Sequence, residues 1–228
     1  MIRWHLALLS LIALCASARA AVPSHYTFSP QPPGTVVQSQ LVYLSGEAMH
    51  SQWRAVLSKK LLGSESGTSF HQWFLSFYSI DGTVYRLKYR SPDSPVPFDH
   101  VTKAHGAAMW FPLQNAKIVG TGQFMGAGSQ QLVVQSHETG ADCGTARVDV
   151  FYFGSAMQAV MTTLSVQNPC DLSASVVHGA HGDSLQLAGP YYSANAPLCC
   201  PTKPKATAVL RFNNGTWSEQ PQYFKILK

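Results

Sequence analysis

The sequence predicts a mainly β protein: an antiparallel β-meander, a sandwich or a partial propeller-like domain, with one N-terminal amphipathic helix. Three observations carry this prediction. Short apolar segments alternate with turn clusters at fairly regular spacing through the second half of the chain. An Asp81-Gly82 pair stands between two alternating segments, which is a strong hairpin signal. A glycine-rich loop, 120–128, runs into Leu132-Val133-Val134 and predicts a tight turn that feeds a buried strand.

Residues 1–20 have the features of a secretory signal peptide. A basic start at Arg3 precedes a short apolar run and an Ala-x-Ala site that ends at Ala20. The run is shorter than the about 20 residues that a membrane span needs. Leu14 precedes Cys15, where bacterial lipoproteins have a small residue, so cleavage after Ala20 is favoured over lipid anchoring at Cys15. We therefore expect a secreted or periplasmic protein without a membrane span.

The mature chain is expected to have three parts. Residues 21–35 contain four prolines and predict an extended arm. Residues 36–98 are expected to form a helix plus a β-hairpin, since apolar residues recur at helical spacing over Glu47 to Leu62. Residues 99–228 are expected to form a disulfide-linked all-β domain. Its strands are predicted at 109–111, 116–119, 131–135, 147–153, 159–166, 175–178, 185–188, 207–212 and 223–227.

The hairpin around Gly82 is expected to have one buried and one wet side. On its second strand Tyr85, Leu87 and Tyr89 alternate with Arg86 and Lys88. Because successive side chains of a strand point to opposite faces, the three apolar residues should share the buried face.

Charge and cysteine content limit the partners and the compartment. The formal net charge is +5, but charged residues make up only 12% of the chain and the basic ones are scattered, which argues against a nucleic-acid partner.

Four cysteines follow the expected cleavage site: Cys143, Cys170, Cys199 and Cys200. They predict two disulfides, for which three pairings are possible. The adjacent Cys199 and Cys200 should take separate partners, and the order of pairing stays open.

The glycine loop resembles the FG-GAP type of β-propeller repeat, in which a Gly-Asp-Phe-Asn-Gly-Asp-Gly loop precedes Asp-Leu-Val-Val. The glycines, the phenylalanine and the strand match, whereas the acidic or amide positions are Gln123, Met125, Ala127 and Gln131. The resemblance implies a propeller-like scaffold. Calcium prefers carboxylate oxygens, which this loop lacks, so we expect no calcium and no other cofactor here.

A second resemblance lies near the C-terminus. Tyr192 precedes a Cys199-Cys200-Pro201-Thr202 element, and Gly215-Thr216-Trp217 follows an apolar strand. Together with the glycine loop, this is similar to the C-terminal domain of the LppP/LprE-like lipoproteins. The resemblance implies an envelope protein without catalytic residues, although the chain departs from that family in lacking a proper lipidation site.

Two histidine-containing loops are the candidate sites. His178 and His181, followed by Asp183, could hold Zn²⁺ or Cu²⁺ if the loop folds back; a polar hairpin loop is the alternative. His100 and His105 lie near Asp99 in a second polar loop, but no nucleophile motif accompanies them.

These observations favour a non-catalytic binding or envelope-structural module with a protein or glycan partner. Aromatic residues of the hairpin region, such as Tyr78, Tyr85 or Trp110, form a candidate contact face if they are exposed, but core packing is favoured for each of them. One alternative is a secreted hydrolase or metal-dependent enzyme that uses a histidine loop. Another is an inhibitor or immunity-type protein, which the small size and the disulfides would fit.

Overall fold

The structure is a computed structural model in which sixteen strands are described. The described residues are 26–46, 49–65, 68–90, 103–104, 107–108, 113–126, 130–138, 145–153, 159–167, 172–180, 182–191, 193, 202–213, 216–220 and 226–227. The expected signal peptide, Trp110, the Asp99/His100/His105 loop and the four cysteines lie outside these residues. Among the described residues no helix is long and apolar enough to cross a membrane.

The strands form three main sheets. The first sheet contains β1 (Thr27–Ser29), β2 (Thr35–Gly46), β3 (Met49–Glu65), β4 (Thr68–Asp81) and β5 (Val84–Arg90). A two-stranded ribbon follows, made of β6 (Lys103–Ala104) and β7 (Ala107–Ala108). The second sheet contains β8 (Leu113–Gly122), β9 (Gln131–Glu138), β10 (Thr145–Phe153), β11 (Ala159–Gln167) and, at its edge, β16 (Ile226–Leu227). The third contains β12 (Ser173–Val177), β13 (Ser184–Tyr191), β14 (Lys203–Asn213) and β15 (Thr216–Gln220).

Each main sheet is built on a four-stranded antiparallel meander in chain order. The strand orders are β1-β5-β4-β3-β2, β16-β11-β10-β9-β8 and β12-β13-β14-β15, and among the described strands only β1 and β5 pair in parallel. The first strand of the second meander, β8, contacts the first strands of the other two, β2 and β12. The fold class predicted from the sequence, a mainly β antiparallel protein, is confirmed.

The second sheet is covered on both faces. On β9, Leu132 and Val134 belong to a core shared with the first sheet, whereas Val133 belongs to a core shared with the third. All three residues are fully buried. This explains why a strand in the middle layer has a continuous apolar run rather than an alternating one.

Two glutamines, the half-buried Gln38 and the buried Gln135, join the layers. The Gln38 side chain of the first sheet bonds both backbone groups of Ile118: its Nε2 donates to the carbonyl oxygen at 3.0 Å, and its Oε1 accepts from the N–H at 2.8 Å. Gln135 of β9 accepts from the Ala174 N–H at 2.9 Å and donates to the Leu172 carbonyl oxygen at 2.6 Å. A glutamine side-chain amide has the same donor and acceptor as a backbone peptide group. Each side chain therefore makes the two backbone hydrogen bonds that a neighbouring strand would otherwise make, and it makes them to a strand of a different sheet.

The helix expected over Glu47 to Leu62 is wrong where the chain is described, because residues 49–65 form β3. Trp53 and Leu57 face the second sheet, while Val56 faces the opposite side and packs in a separate cluster. A strand with both faces buried carries apolar residues at almost every position, and some of them fall at helical spacing by coincidence. Pairing with β2 and β4 along most of its length then satisfies its backbone groups.

The outer face of the first sheet is also covered. Tyr26 and Phe28 of the N-terminal segment pack on Tyr85, with ring centroids 4.9 and 5.0 Å apart respectively, and Phe28 also packs on Tyr78. Tyr78 is fully buried and Tyr85 is 2% exposed. Core packing, the favoured interpretation of Tyr78 and Tyr85, is therefore confirmed, and the alternative of an exposed contact face is wrong for these two residues, because the expected arm folds back over them.

The hairpin between β4 and β5 is confirmed, with Gly82 at a φ of 58°. One detail differs from the simple alternation. Phe77 pairs with Tyr89 and Tyr78 with Leu87, so Lys88 is the extra residue of a bulge. The bulge moves Tyr89 to the face that packs on the first core, opposite to Leu87.

Candidate functional site

The candidate site lies where the glycine loop, here residues 122–126 at the end of β8, meets the turn between β12 and β13. Gly122 is required by packing: an added Cβ would lie 2.6 Å from the Phe124 ring and 2.9 Å from the Val176 side chain. Without a side chain at Gly122, Phe124 folds back and is buried in the core between the second and third sheets. Gly126 has a φ of 115°, a conformation that other residues rarely adopt.

The Gln131 side chain hydrogen-bonds the backbone of the glycine loop. It is 1% exposed, and its Oε1 accepts the N–H groups of Phe124 at 2.8 Å and Met125 at 3.3 Å. In the FG-GAP pattern this position is acidic. Here the oxygen accepts two backbone donors of the loop, so the Gln131 side chain holds the loop conformation.

Asp183 joins the glycine loop to the β12–β13 turn. Its Oδ2 accepts the N–H of Gln123 at 2.7 Å, and its Oδ1 accepts the N–H of Gly179 at 3.3 Å. The Asp183 N–H in turn donates to the Gln123 carbonyl oxygen at 3.3 Å. His178 completes the arrangement, with Nδ1 3.0 Å from Oδ2. One carboxylate thus holds together two loops that are 60 residues apart in the chain.

The same contacts set the ionisation of Asp183. Burial raises the pKa of its carboxyl, but the hydrogen bonds from Gln123, His178 and Gly179 outweigh burial and leave the pKa below its usual 3.8. Asp183 is therefore ionised at neutral pH, and its charge is compensated by the donors around it.

Of the predicted metal ligands, the structure brings His178 and Asp183 together; His181 lies outside the described residues. The His178 side chain is 72% exposed, and its Nε2 has no hydrogen-bond partner in the described part of the chain. Within the described residues, no group of three His, Cys, Asp or Glu side chains is placed so that it could hold a metal ion. Both oxygens of Asp183 already accept N–H donors. A metal site with His181 stays a prediction.

An open cleft of about 730 Å³ lies beside this carboxylate. The glycine loop, the β12–β13 turn and the end of β14 form its walls. Phe124 and Phe212 line it, and each packs edge-on against Trp217, at 5.3 and 5.1 Å between ring centroids. Val177, 41% exposed, adds an apolar side chain at the wall.

Arg211 is a charged wall residue that the sequence analysis missed. It is exposed and makes no ion pair with any residue that the structure describes. No sequence signal singled it out, because it lies in an ordinary strand and joins the site only through the packing of β14. Phe212 was missed for the same reason.

A second cavity, about 420 Å³, lies where the inner strands of the three meanders run side by side. Gln40 from β2, Lys117 from β8 and Ser175 from β12 line it. His178 also lines this cavity, whereas Asp183 lines the larger cleft, so the His178–Asp183 pair stands between the two.

A scan against models of protein families, a search of curated proteins and a search of solved structures each found no match to this chain. The resemblances to the FG-GAP repeat and to the LppP/LprE-like lipoproteins therefore stay predictions.

Proposed function

We propose that this protein is a non-catalytic binding module of the periplasm or cell exterior, and that its ligand enters the cleft beside Asp183. The observation that carries the proposal is the Asp183 arrangement. It uses a buried carboxylate to hold two loops together and leaves an open cleft of about 730 Å³ beside them.

The cleft has the properties of a ligand site. Its volume falls within the about 300–1,000 Å³ of small-molecule pockets, which combine apolar walls with a few polar groups. Phe124 is buried in the core and Gln131 holds its backbone, so this wall is formed before a ligand arrives. A wall that needs no ordering reduces the entropy lost on binding.

The burial of Tyr78 and Tyr85 changes the expected partner. Because these two rings are buried, they cannot form the aromatic surface on which a glycan would stack. A concave cleft instead favours a small ligand, or one protruding group of a protein partner, with an apolar body.

Binding can be tested with phenylnaphthylamine, an uncharged dye that fluoresces in apolar sites. The oxidised protein that begins after residue 20 should bind it, and Val177→Trp should abolish binding because the indole fills the cleft. Val36→Trp is the matched control: Val36 is also an exposed strand valine, 46% exposed, but it lies on the first sheet. Equal binding by both variants, or no binding by the wild type, would contradict the proposal.

A second candidate function, a hydrolase, is favoured by the His178–Asp183 pair alone. Such a pair orients a histidine as a general base, with Nε2 directed at a nucleophile. No described hydroxyl group hydrogen-bonds this Nε2. Hydrolysis of nitrophenyl acetate that is lost in His178→Ala would support this candidate; equal slow hydrolysis by both proteins would remove it.

A further inference from the structure

The two charged side chains that line the described part of the cleft, Asp183 and Arg211, differ in how their polar groups are used. The Asp183 side chain is only 10% exposed, and its oxygens accept hydrogen bonds from two backbone N–H groups and lie beside His178. Arg211 is exposed and has no acidic partner among the residues that the structure describes. The cleft therefore presents a guanidinium whose donors no described acid uses, while both oxygens of the carboxylate are already bonded.

The position of Arg211 suits a ligand rather than a structural ion pair. It lies near the end of β14 and lines the cleft. Because neighbouring side chains of a strand point to opposite faces, the Arg211 side chain lies on the face of Val177, whereas Phe212 packs on the core side. Its cross-strand neighbour on β15 is Ser218, a neutral residue whose hydroxyl donates to the Arg211 carbonyl oxygen at 3.2 Å. No described residue pairs with the guanidinium, whose donors can therefore take an anionic group of a ligand.

We infer that the ligand of the cleft is a small amphiphilic anion: a carboxylate, sulfonate or phosphate group pairs with Arg211, and an apolar body packs against Val177, which lies on the same face of the third sheet. A planar guanidinium binds such oxyanions through two parallel hydrogen bonds, which a lysine does not provide. This inference rests on the proposed function, because it names the ligand class of the same cleft.

Two dyes with the same ring system separate the charge from the apolar body. Anilinonaphthalene sulfonate carries a sulfonate that phenylnaphthylamine lacks. The wild type should bind the sulfonate dye more tightly than the neutral dye. Arg211→Gln should weaken the sulfonate dye about five- to tenfold, as expected for an exposed charge-assisted contact, and leave the neutral dye unchanged. Arg211→Lys should give an intermediate loss.

Lys117→Gln is the matched control. Lys117 is likewise exposed and lacks an ion pair within the described residues, but it lines the other cavity. Its removal should leave both dye affinities unchanged. Added salt should weaken the sulfonate dye in the wild type and in Lys117→Gln more than in Arg211→Gln, because screening acts only on the charged contact. Unchanged thermal midpoints would show that the variants fold.

The possible results separate the inference from the proposed function. If Arg211→Gln leaves the sulfonate dye unaffected while Val177→Trp abolishes both dyes, the cleft binds ligands but the charge assignment is wrong. If Arg211→Gln and Lys117→Gln weaken the sulfonate dye equally, attraction by overall charge replaces a specific contact and overturns the inference. If neither dye binds, both statements fail.

Discussion

Asp183→Asn is the most direct test of the link between the two loops. Asparagine has the shape of aspartate but no charge, and it replaces one carboxylate oxygen by an NH₂ group. In the wild type both oxygens accept backbone N–H groups, one from Gln123 and one from Gly179. The amide oxygen of the variant can accept only one of them, and the NH₂ group then faces the other donor.

The loss can be estimated from these contacts. A hydrogen bond to a charged group contributes about 1.5–3 kcal/mol to stability. The remaining oxygen should keep the shorter bond, 2.7 Å from Gln123, and the 3.3 Å bond from the exposed Gly179 should be lost. We therefore expect a loss near the lower limit, about 1.5–2 kcal/mol at neutral pH. Urea unfolding measures it as a lower midpoint with an unchanged slope.

The pH dependence of the stability difference between wild type and Asp183→Asn is a second test. The pKa of Asp183 in the folded protein lies below its usual 3.8, so its ionised form stabilises the fold at pH values above 3.8. That contribution is lost as the pH falls through the folded-state pKa. Because the asparagine does not titrate, the stability difference between wild type and variant should shrink below about pH 4.

Two results would refute this reasoning. One is a difference at neutral pH smaller than about 0.5 kcal/mol, the range of an ordinary surface substitution. The other is a difference that stays constant as the pH is lowered. His178→Ala is the control: it removes only the exposed partner of the carboxylate, and we expect it to cost less than about 1 kcal/mol.

Two further substitutions test the fold. Gln135→Leu should lower the free energy of unfolding by about 2–4 kcal/mol, because the Ala174 N–H and the Leu172 carbonyl oxygen lose their buried partner; a loss under 1 kcal/mol in urea unfolding would mean that water replaces the amide. Gly34→Ala should cost at least about 1–2 kcal/mol, since Gly34 has a φ of 65° and the new Cβ would lie 2.3 Å from a backbone oxygen of β3. Gly63→Ala, where a Cβ meets nothing within 4 Å, should have little effect on the thermal midpoint, and equal effects of the two glycine variants would contradict this account.

Turns were predictable because their chemistry is local. The hairpin around Gly82 follows from the need for a positive φ in a short connection, whatever lies elsewhere in the chain. The Asn214-Gly215 pair likewise has the sequence of a two-residue hairpin turn, and Asn213 pairs with Thr216 on either side of it. Most strands were also predictable, because the alternating or apolar segments between such turns are visible in the local sequence.

The failure at β3 has a physical cause. Periodicity reports which faces of an element are buried, and it assumes that one face is wet. Trp53 and Val56 lie on opposite faces that are both covered, one by the second sheet and one by Tyr85 and the N-terminal segment. Nothing within residues 49–65 indicates that two layers will cover them.

The residues of the candidate site also fall into those that local contacts bring together and those that only tertiary packing brings together. His178 and Asp183 were found because they are five residues apart in a polar loop, and local contacts bring them together. The role of Asp183 was not found, because its shortest hydrogen bond is to Gln123, in the loop that follows β8 and 60 residues away in the chain. Arg211 was missed as a wall residue because only the packing of β14 brings it to the cleft.

The sequence by itself determined where the chain turns, that most segments outside β3 extend, and that the glycine loop lacks the carboxylates of a calcium site. Only the tertiary structure decided which face each residue occupies, that Gln38 and Gln135 join neighbouring sheets, and that a cleft opens beside Asp183. The reason is the range of the interactions. A turn depends on the backbone preferences of neighbouring residues, whereas burial and polar pairing between sheets depend on partners that only the folded chain brings close.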